Sequence, residues 1–286
     1  MRWLEITVRS PEAYAEAMSS FFFDTGSGVV WDDSASVSHG VVTVKGYLPD
    51  EEASRPKLET LRRAVTGLLG PDALAVGTLA DEDWATAWRA GYHTFRVGKR
   101  LVIKPTWETY PVRPGDLVIE MDPGLAFGCG THPTTATCLE MLERYLTLGA
   151  VVYDVGTGSG ILAIAAAKLG AGEIRAVDED PIAVRVAREN VERNGAAGQV
   201  HVREGDLLNG LPGPADLIVA NIVAEVIGPL APRAAERLSA EGRFIAGGIT
   251  AAKADGVIAA FSRAGLAVVA RRAVGEWVTL VGEKQG

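Results

Sequence analysis

The chain has 286 residues, 48% of them hydrophobic and 22% charged, an ordinary globular composition that excludes a disordered chain and, at this length, favours two domains over one. The formal net charge of −8 disfavours tight, sequence-independent binding to a phosphate backbone and would attract a basic partner. No apolar run has the length of a membrane span, the start does not read as a signal peptide, and the two cysteines have neither disulfide-framework nor zinc spacing, which points to a reducing cytoplasm.

Residues 1–80 read as a small α+β unit. Trp3–Val8 and Val41–Leu48 alternate as strands, and each is followed by a helical pattern, from Pro11 to about Phe22 and from about Arg55 to Leu69. Gly26–Asp33 adds a further strand before the turn-like Asp32-Asp33-Ser34, and this content predicts a ferredoxin-like layer. Residues 81–92 read as a linker helix, with Trp84 and Trp88 on one face packing it against a domain.

From residue 93 the pattern changes. His93–Val97 and Leu101–Lys104, joined at Gly98-Lys99, predict a hairpin. The segment Met121–Thr135 is dense in glycines and hydroxyls, and its Pro133 suits the first position of a helix continuing through Leu139, Leu142 and Leu146. That places Thr134 and Thr135 in the first helical turn, where orphan amides and hydroxyls can hold a ligand. The loop before it can fold over the ligand, with Phe127 as an apolar lid. His132 and Cys129 have no partner at a catalytic spacing, and the four histidines are scattered, so no metal is expected.

Beyond Val151 strands and helices alternate. Strands are expected at Val151–Val155, Glu173–Asp178, Val200–Glu204, Asp216–Asn221 and Arg243–Ala246, with helical patterns such as Ile182–Asn194 between most of them. This alternation implies an α/β doubly wound parallel sheet over residues 93–286. Leu266–Val274 and Glu276–Gly282 have no helix between them and predict a terminal antiparallel hairpin.

Val151–Val155 runs directly into Gly156-Thr157-Gly158-Ser159-Gly160. In such a turn a Cβ at Gly156 or Gly158 would take up ligand space, so these are the first candidate cofactor contacts. The spacing is G-x-G-x-G, not the G-x-G-x-x-G that seats a pyrophosphate on a helix N-terminus. Asp178 closes the second strand, where a carboxylate can accept from both hydroxyls of an adenosine ribose; alternatively it caps the turn Glu179-Asp180-Pro181. Asp206, after the third strand, is placed to meet an adenine amino edge or to serve in a turn alone. Asn221 ends the fourth strand, in the crevice where open α/β sheets bind ligands.

Together these segments resemble the bacterial methyltransferases that modify ribosomal protein eleven of the large subunit. The likeness rests on Asp122–Thr135, Asp154–Leu162, Val177-Asp178 and Ala220–Ile222, and extends to the Asp83-Trp84 linker and the small leading unit. It implies S-adenosylmethionine as cofactor, with Thr135, Gly156, Asp178 and Asn221 as cofactor-binding positions. Phe127, Thr134, Gly158 and Asp206 join that set on their own placement, and Asn221 is the candidate catalytic residue, orienting a nucleophilic nitrogen. The resemblance also implies that the leading domain binds ribosomal protein eleven and swings on the linker to present several amines in turn. A cytoplasmic monomer with no membrane and no direct nucleic-acid contact is expected. The chain departs from the family at Cys129, where threonine is usual. Where many amine methyltransferases carry Asn-Pro-Pro-Tyr it has Asn221-Ile-Val-Ala224, without the aromatic wall. The competing readings are a methyltransferase of the same fold acting on RNA or a small molecule, an NAD-dependent oxidoreductase, disfavoured by the glycine spacing and the terminal hairpin, and a non-catalytic cofactor-binding module.

Overall fold

The computed structural model describes residues 2–11, 14, 22, 28–32, 41–80, 92–123 and 126–285. They form two compact units, Met1–His93 with Pro123–Leu125, and Thr94–Asp122 with Ala126–Gly286. Most of the helix expected between Pro11 and Phe22 lies outside the described residues, as do Trp84, Trp88, Gly124 and Leu125.

The first unit is a four-stranded sheet of β1 (Arg2–Pro11), β2 (Gly28–Asp32), β3 (Val41–Pro49) and β4 (Leu74–Ala80), with α1 (Arg55–Leu69) between the last two. Its order, β2-β3-β1-β4, with every pairing antiparallel, is the ferredoxin-like arrangement expected from the sequence. Period-two alternation turns Ile6 and Val8 of β1 toward Val44 and Leu48 of β3, and α1 closes that core with Leu61 and Val65. Strand β4 is not anticipated by the sequence reading; Gly77 interrupts its apolar pattern, and pairing to β1 at the sheet edge organises it.

The second unit holds a small sheet and a large one. In the small sheet β5 (Phe95–Val97) and β6 (Leu101–Lys104) form the predicted antiparallel hairpin. A third strand that the sequence reading missed, β7 (Leu117–Glu120), joins β6 in parallel. The large sheet has seven strands: β8 (Val151–Val155), β9 (Glu173–Asp178), β10 (Val200–Glu204), β11 (Ala215–Asn221), β12 (Leu238–Thr250), β13 (Leu266–Val274) and β14 (Trp277–Lys284). Their order is β10-β9-β8-β11-β12-β14-β13, parallel from β10 to β12, with β14 antiparallel to both of its neighbours. The doubly wound sheet and its terminal hairpin are both present. Strand β12 is much longer than the expected Arg243–Ala246, because pairing with β11 on one side and β14 on the other carries it through Gly242, Gly247 and Gly248.

Helices α2 (Pro133–Tyr145), α3 (Ile161–Leu169) and α4 (Pro181–Arg193) pack in sequence on one another, and α5 (Ala224–Arg237) packs on α6 (Ala251–Arg263). The starts of α2 and α4 are written locally. Pro133 and Pro181 take the first helical position, and the Asp180 carboxylate accepts from the Ile182 N–H at 2.8 Å. On the α5–α6 side of the sheet Phe244 stacks on Phe261 at 5.3 Å between ring centroids, inside a core that includes Tyr153, Ile218, Ile227 and Leu280. The chain leaves β8 toward β9 and β10, then returns to the other side for β11, so the strand order reverses between β8 and β11. A crevice at the carboxyl ends of these strands follows from that reversal.

Candidate functional site

A cavity of about 510 Å³ lies at this reversal point. The turn after β8 contributes Gly156, Thr157 and Gly158; β9 and its end give Asp178 and Glu179; the turn after β10 gives Gly205, Asp206 and Leu207; β11 and its end give Asn221, Ile222 and Val223. Phe127 and Gly128 come from the glycine-rich loop and Thr135 from the first turn of α2. The structure thus brings together seven of the eight residues singled out from sequence: Phe127, Thr135, Gly156, Gly158, Asp178, Asp206 and Asn221. Thr134 is the exception, buried at 2% exposure, with its hydroxyl 2.7 Å from His132 Nδ1. Neighbouring positions on a helix point about 100° apart, and of these two Thr135 is the one that lines the cavity.

Gly156 and Gly158 line the cavity for a reason other than ligand clearance. Both have positive φ, 71° and 54°, in the region side chains rarely adopt. A Cβ on Gly158 would stand 2.5 Å from the Phe127 carbonyl oxygen, and one on Gly156 would stand 2.5 Å from Ile222 Cγ2. Neighbouring protein, rather than ligand, requires glycine at each.

The turn's N–H groups are already committed. Those of Gly156 and Thr157 donate to the Val177 carbonyl, that of Ser159 to the Phe127 carbonyl and that of Gly160 to the Thr157 carbonyl, all between 2.9 and 3.0 Å. The Gly158 N–H donates to Asp178 Oδ2 at 2.9 Å. Asp178 also accepts from the Asp180 N–H at 3.0 Å through Oδ1, so it does cap the following turn, and each of its oxygens retains a second lone pair.

Asp154 is the residue whose importance sequence reasoning missed. It is fully buried beneath the turn, where Oδ2 accepts from Thr157 Oγ1 at 2.6 Å and from the Ala163 N–H in the first turn of α3 at 3.0 Å. Its carboxylate therefore occupies the helix N-terminus that a pyrophosphate would use. Oδ1 is buried without a partner. Burial raises the carboxyl to about 7, with the nearby Asp178 charge adding to the rise. The only advance signal was an acid inside an apolar strand directly before the glycines.

A pH dependence follows from that rise. The unfolded carboxyl titrates near 3.8 and the folded one near 7, so the group favours folding most below about 4, and this contribution is lost as pH climbs to 7. Denaturant midpoints of the wild type, compared at pH 5 and pH 8, are expected to show this loss. Asp154→Asn, which cannot ionise, should flatten the slope, and an unchanged slope in the variant would refute the assignment.

Asn221 closes the other side. Its Nδ2 donates to Thr135 Oγ1 at 3.2 Å, while Oδ1 is buried and without a hydrogen bond. His132 caps α2 by accepting from the Thr134 N–H, lies between the rings of Phe127 and Trp277 at 5.5 and 5.1 Å, and is held near 4 by burial, hence neutral. Cys138 is buried and pushed up to about 12 by desolvation, so it is an inert thiol. Among the described residues no group of three His, Cys, Asp or Glu side chains is placed to hold a metal.

A sheet in this order, with its antiparallel final strand and its glycine turn sealed by internal hydrogen bonds, defines an α/β protein of the Rossmann-like methyltransferase class. The comparisons narrow the class to one family. The family model described as "Ribosomal protein L11 methyltransferase (PrmA)" matches residues 2–285, and the chain belongs to that family. A ribosomal protein L11 methyltransferase of Pelotomaculum thermopropionicum is 49% identical, with 98% of each chain covered. Another, of Alkaliphilus oremlandii, is 39% identical with 100% of each covered. Among solved structures, a ribosomal protein L11 methylase from Lactobacillus delbrueckii is 36% identical, with a TM-score of 0.62 over 68% of this chain and 100% of that one.

Proposed function

We propose that this enzyme transfers methyl groups from S-adenosylmethionine to lysine side-chain and/or N-terminal amines of ribosomal protein L11. One observation carries the cofactor reading: Asp178 and Asp206 line the same cavity as a glycine turn whose N–H groups are all spent within the protein. Such a site offers acceptors to an adenosine and a favourable field to a cation, and its glycine turn leaves no N–H for a pyrophosphate. Full-length membership of the family supports the substrate, and the acidic chain disfavours RNA as the alternative.

In this reading Asp178 accepts from the ribose hydroxyls and Asp206 from the adenine amine. Gly156, Gly158 and Thr135 shape the cradle, and Phe127 shields it from water. When bound, S-adenosylmethionine supplies an electrophilic sulfonium methyl group. Asn221 orients the incoming nitrogen, which must arrive neutral. For a free lysine at pH 7 that deprotonation costs about 4 to 5 kcal/mol, and for an α-amine only about 1. With His132 half-buried, Asp154 fully buried and both committed to hydrogen bonds within the protein, no side chain is assigned as general base; desolvation lowers the amine's pKa instead. The leading domain, residues 1–80, binds the protein substrate, and residues 81–92 link it to the catalytic domain, 93–286. A cytoplasmic monomer fits these roles, and no helix among the described residues is long and apolar enough to cross a membrane.

Mass spectrometry of purified ribosomal protein L11, before and after incubation with enzyme and cofactor, tests the proposal. A gain of about 14 Da per methyl group is expected, with ribosomal RNA in the same mixture unmodified. Unchanged L11 alongside methylated RNA would overturn the substrate assignment.

A further inference from the structure

The cavity's far end is braced by a chain of hydrogen bonds that reaches across to α5. Asp206 opens the turn after β10, and the Asn209 N–H donates to its carbonyl at 2.9 Å. Within this turn Leu207, itself part of the cavity lining, has a φ of 49°, a left-handed conformation costly for a branched side chain. Something must hold the turn in this shape. Asn209 Nδ2 donates to Asp206 Oδ2 at 2.5 Å, and Arg203 Nη2 donates to the Asn209 carbonyl at 2.6 Å. From α5, Arg233 Nη2 donates to Asn209 Oδ1 at 2.5 Å.

These contacts determine which way the amide faces. A guanidinium can only donate and a carboxylate only accept, so Arg233 draws the amide oxygen and turns the Asn209 amine toward Asp206. The alternative flip would oppose donor to donor and acceptor to acceptor. Asp206 is thereby held by one oxygen, and among the described residues its Oδ1 receives no protein hydrogen bond.

We propose that Asn209 and Arg233 are positioning residues that present the free oxygen of Asp206 to the exocyclic amine of an adenine base, and so set the site's preference for adenine. The inference rests on the cofactor reading above. It assigns base selectivity to two residues that need not touch the base. Asp206 with Oδ2 tied down keeps one acceptor fixed in place; an untethered carboxylate would rotate and lose that orientation to water.

Calorimetric titration of the full chain with S-adenosylhomocysteine and with its deaminated analogue S-inosylhomocysteine tests this directly. The analogue carries a carbonyl where adenine carries its amine, and that carbonyl cannot donate. The wild type should prefer the adenine compound by about tenfold or more, the value of one well-made hydrogen bond to a carboxylate. Asn209→Ala and Arg233→Ala should each cut that preference by about fivefold while leaving affinity for the inosine compound nearly unchanged. Arg233→Lys should restore part of it. In an Asp206→Ala background Asn209→Ala should have no further effect on selectivity. Equal weakening of both compounds would mark the two residues as a general loop brace and overturn the proposal, as would effects that add to those of Asp206→Ala. A wild type that binds neither compound would instead overturn the cofactor reading on which it stands.

Discussion

Gly158→Ala is expected to lower affinity for S-adenosylhomocysteine by about a hundredfold. Two costs combine. The backbone at this position has a φ of 54°, which a side chain tolerates at about 1–2 kcal/mol. The added methyl would also stand 2.5 Å from the Phe127 carbonyl oxygen, a backbone atom that can yield only if the glycine-rich loop moves, at roughly 1–3 kcal/mol. Moving that loop would also strain the Ser159 N–H bond to the same carbonyl, at 2.9 Å, and the Gly158 N–H bond to Asp178. The turn can shed this strain only by leaving the shape that lines the cavity, so the cost reaches binding as well as stability. Calorimetry alongside thermal melting separates the two. Gly156→Ala should be milder, because its added methyl meets a side-chain carbon, Ile222 Cγ2, rather than a backbone oxygen, although the strain of its φ of 71° remains. Near-normal binding by the Gly158 variant would show that the turn's shape is not what the site requires.

Asn221→Ala should reduce methyl transfer on the order of a hundredfold, the scale seen when one positioned hydrogen-bonding group is removed from an active site. The residue sits at the end of β11 with Nδ2 committed to Thr135 and Oδ1 buried and unpartnered. A buried acceptor left unpaired carries a desolvation penalty that an incoming N–H would relieve, which is a reason to expect a donor brought by the substrate. The diagnostic is the split between parameters. The kcat should collapse, while affinity for S-adenosylhomocysteine falls by less than about tenfold, since Asp178, Asp206 and the glycine turn remain. A variant that lost cofactor binding and turnover together would make Asn221 a binding residue only.

Much of the site was legible because its signals are local. A strand running into closely spaced glycines, an acid at the end of the next strand and an amide at the end of another are each read within a few residues, and strand alternation then carries them to one edge of a parallel sheet. Gly156, Gly158, Asp178, Asp206 and Asn221 are candidates on those signals alone. Partners far away in the chain leave no such local trace. Nothing near Asp154 says that its carboxylate caps α3, and nothing near Asp206 announces Arg233 on a helix packed elsewhere in the domain. The same limit explains the strands that were missed. β4 and β7 are weakly patterned alone and exist because β1 and β6 offer them open edges to pair with.

What the amino-acid sequence determined by itself was the alternation of strands and helices, the glycine turn, the proline-started helices and the order in which the cavity's residues appear. Each follows from periodicity and backbone chemistry acting over a few residues. What only the tertiary structure decided was what a side chain at each glycine would meet, that the turn's N–H groups are spent within the protein, and that Thr135 rather than Thr134 lines the cavity. Those outcomes depend on Phe127, Val177 and Ile222 arriving beside the turn from separate elements. Packing brings them there, and the turn's buried N–H groups then find their partners within the protein.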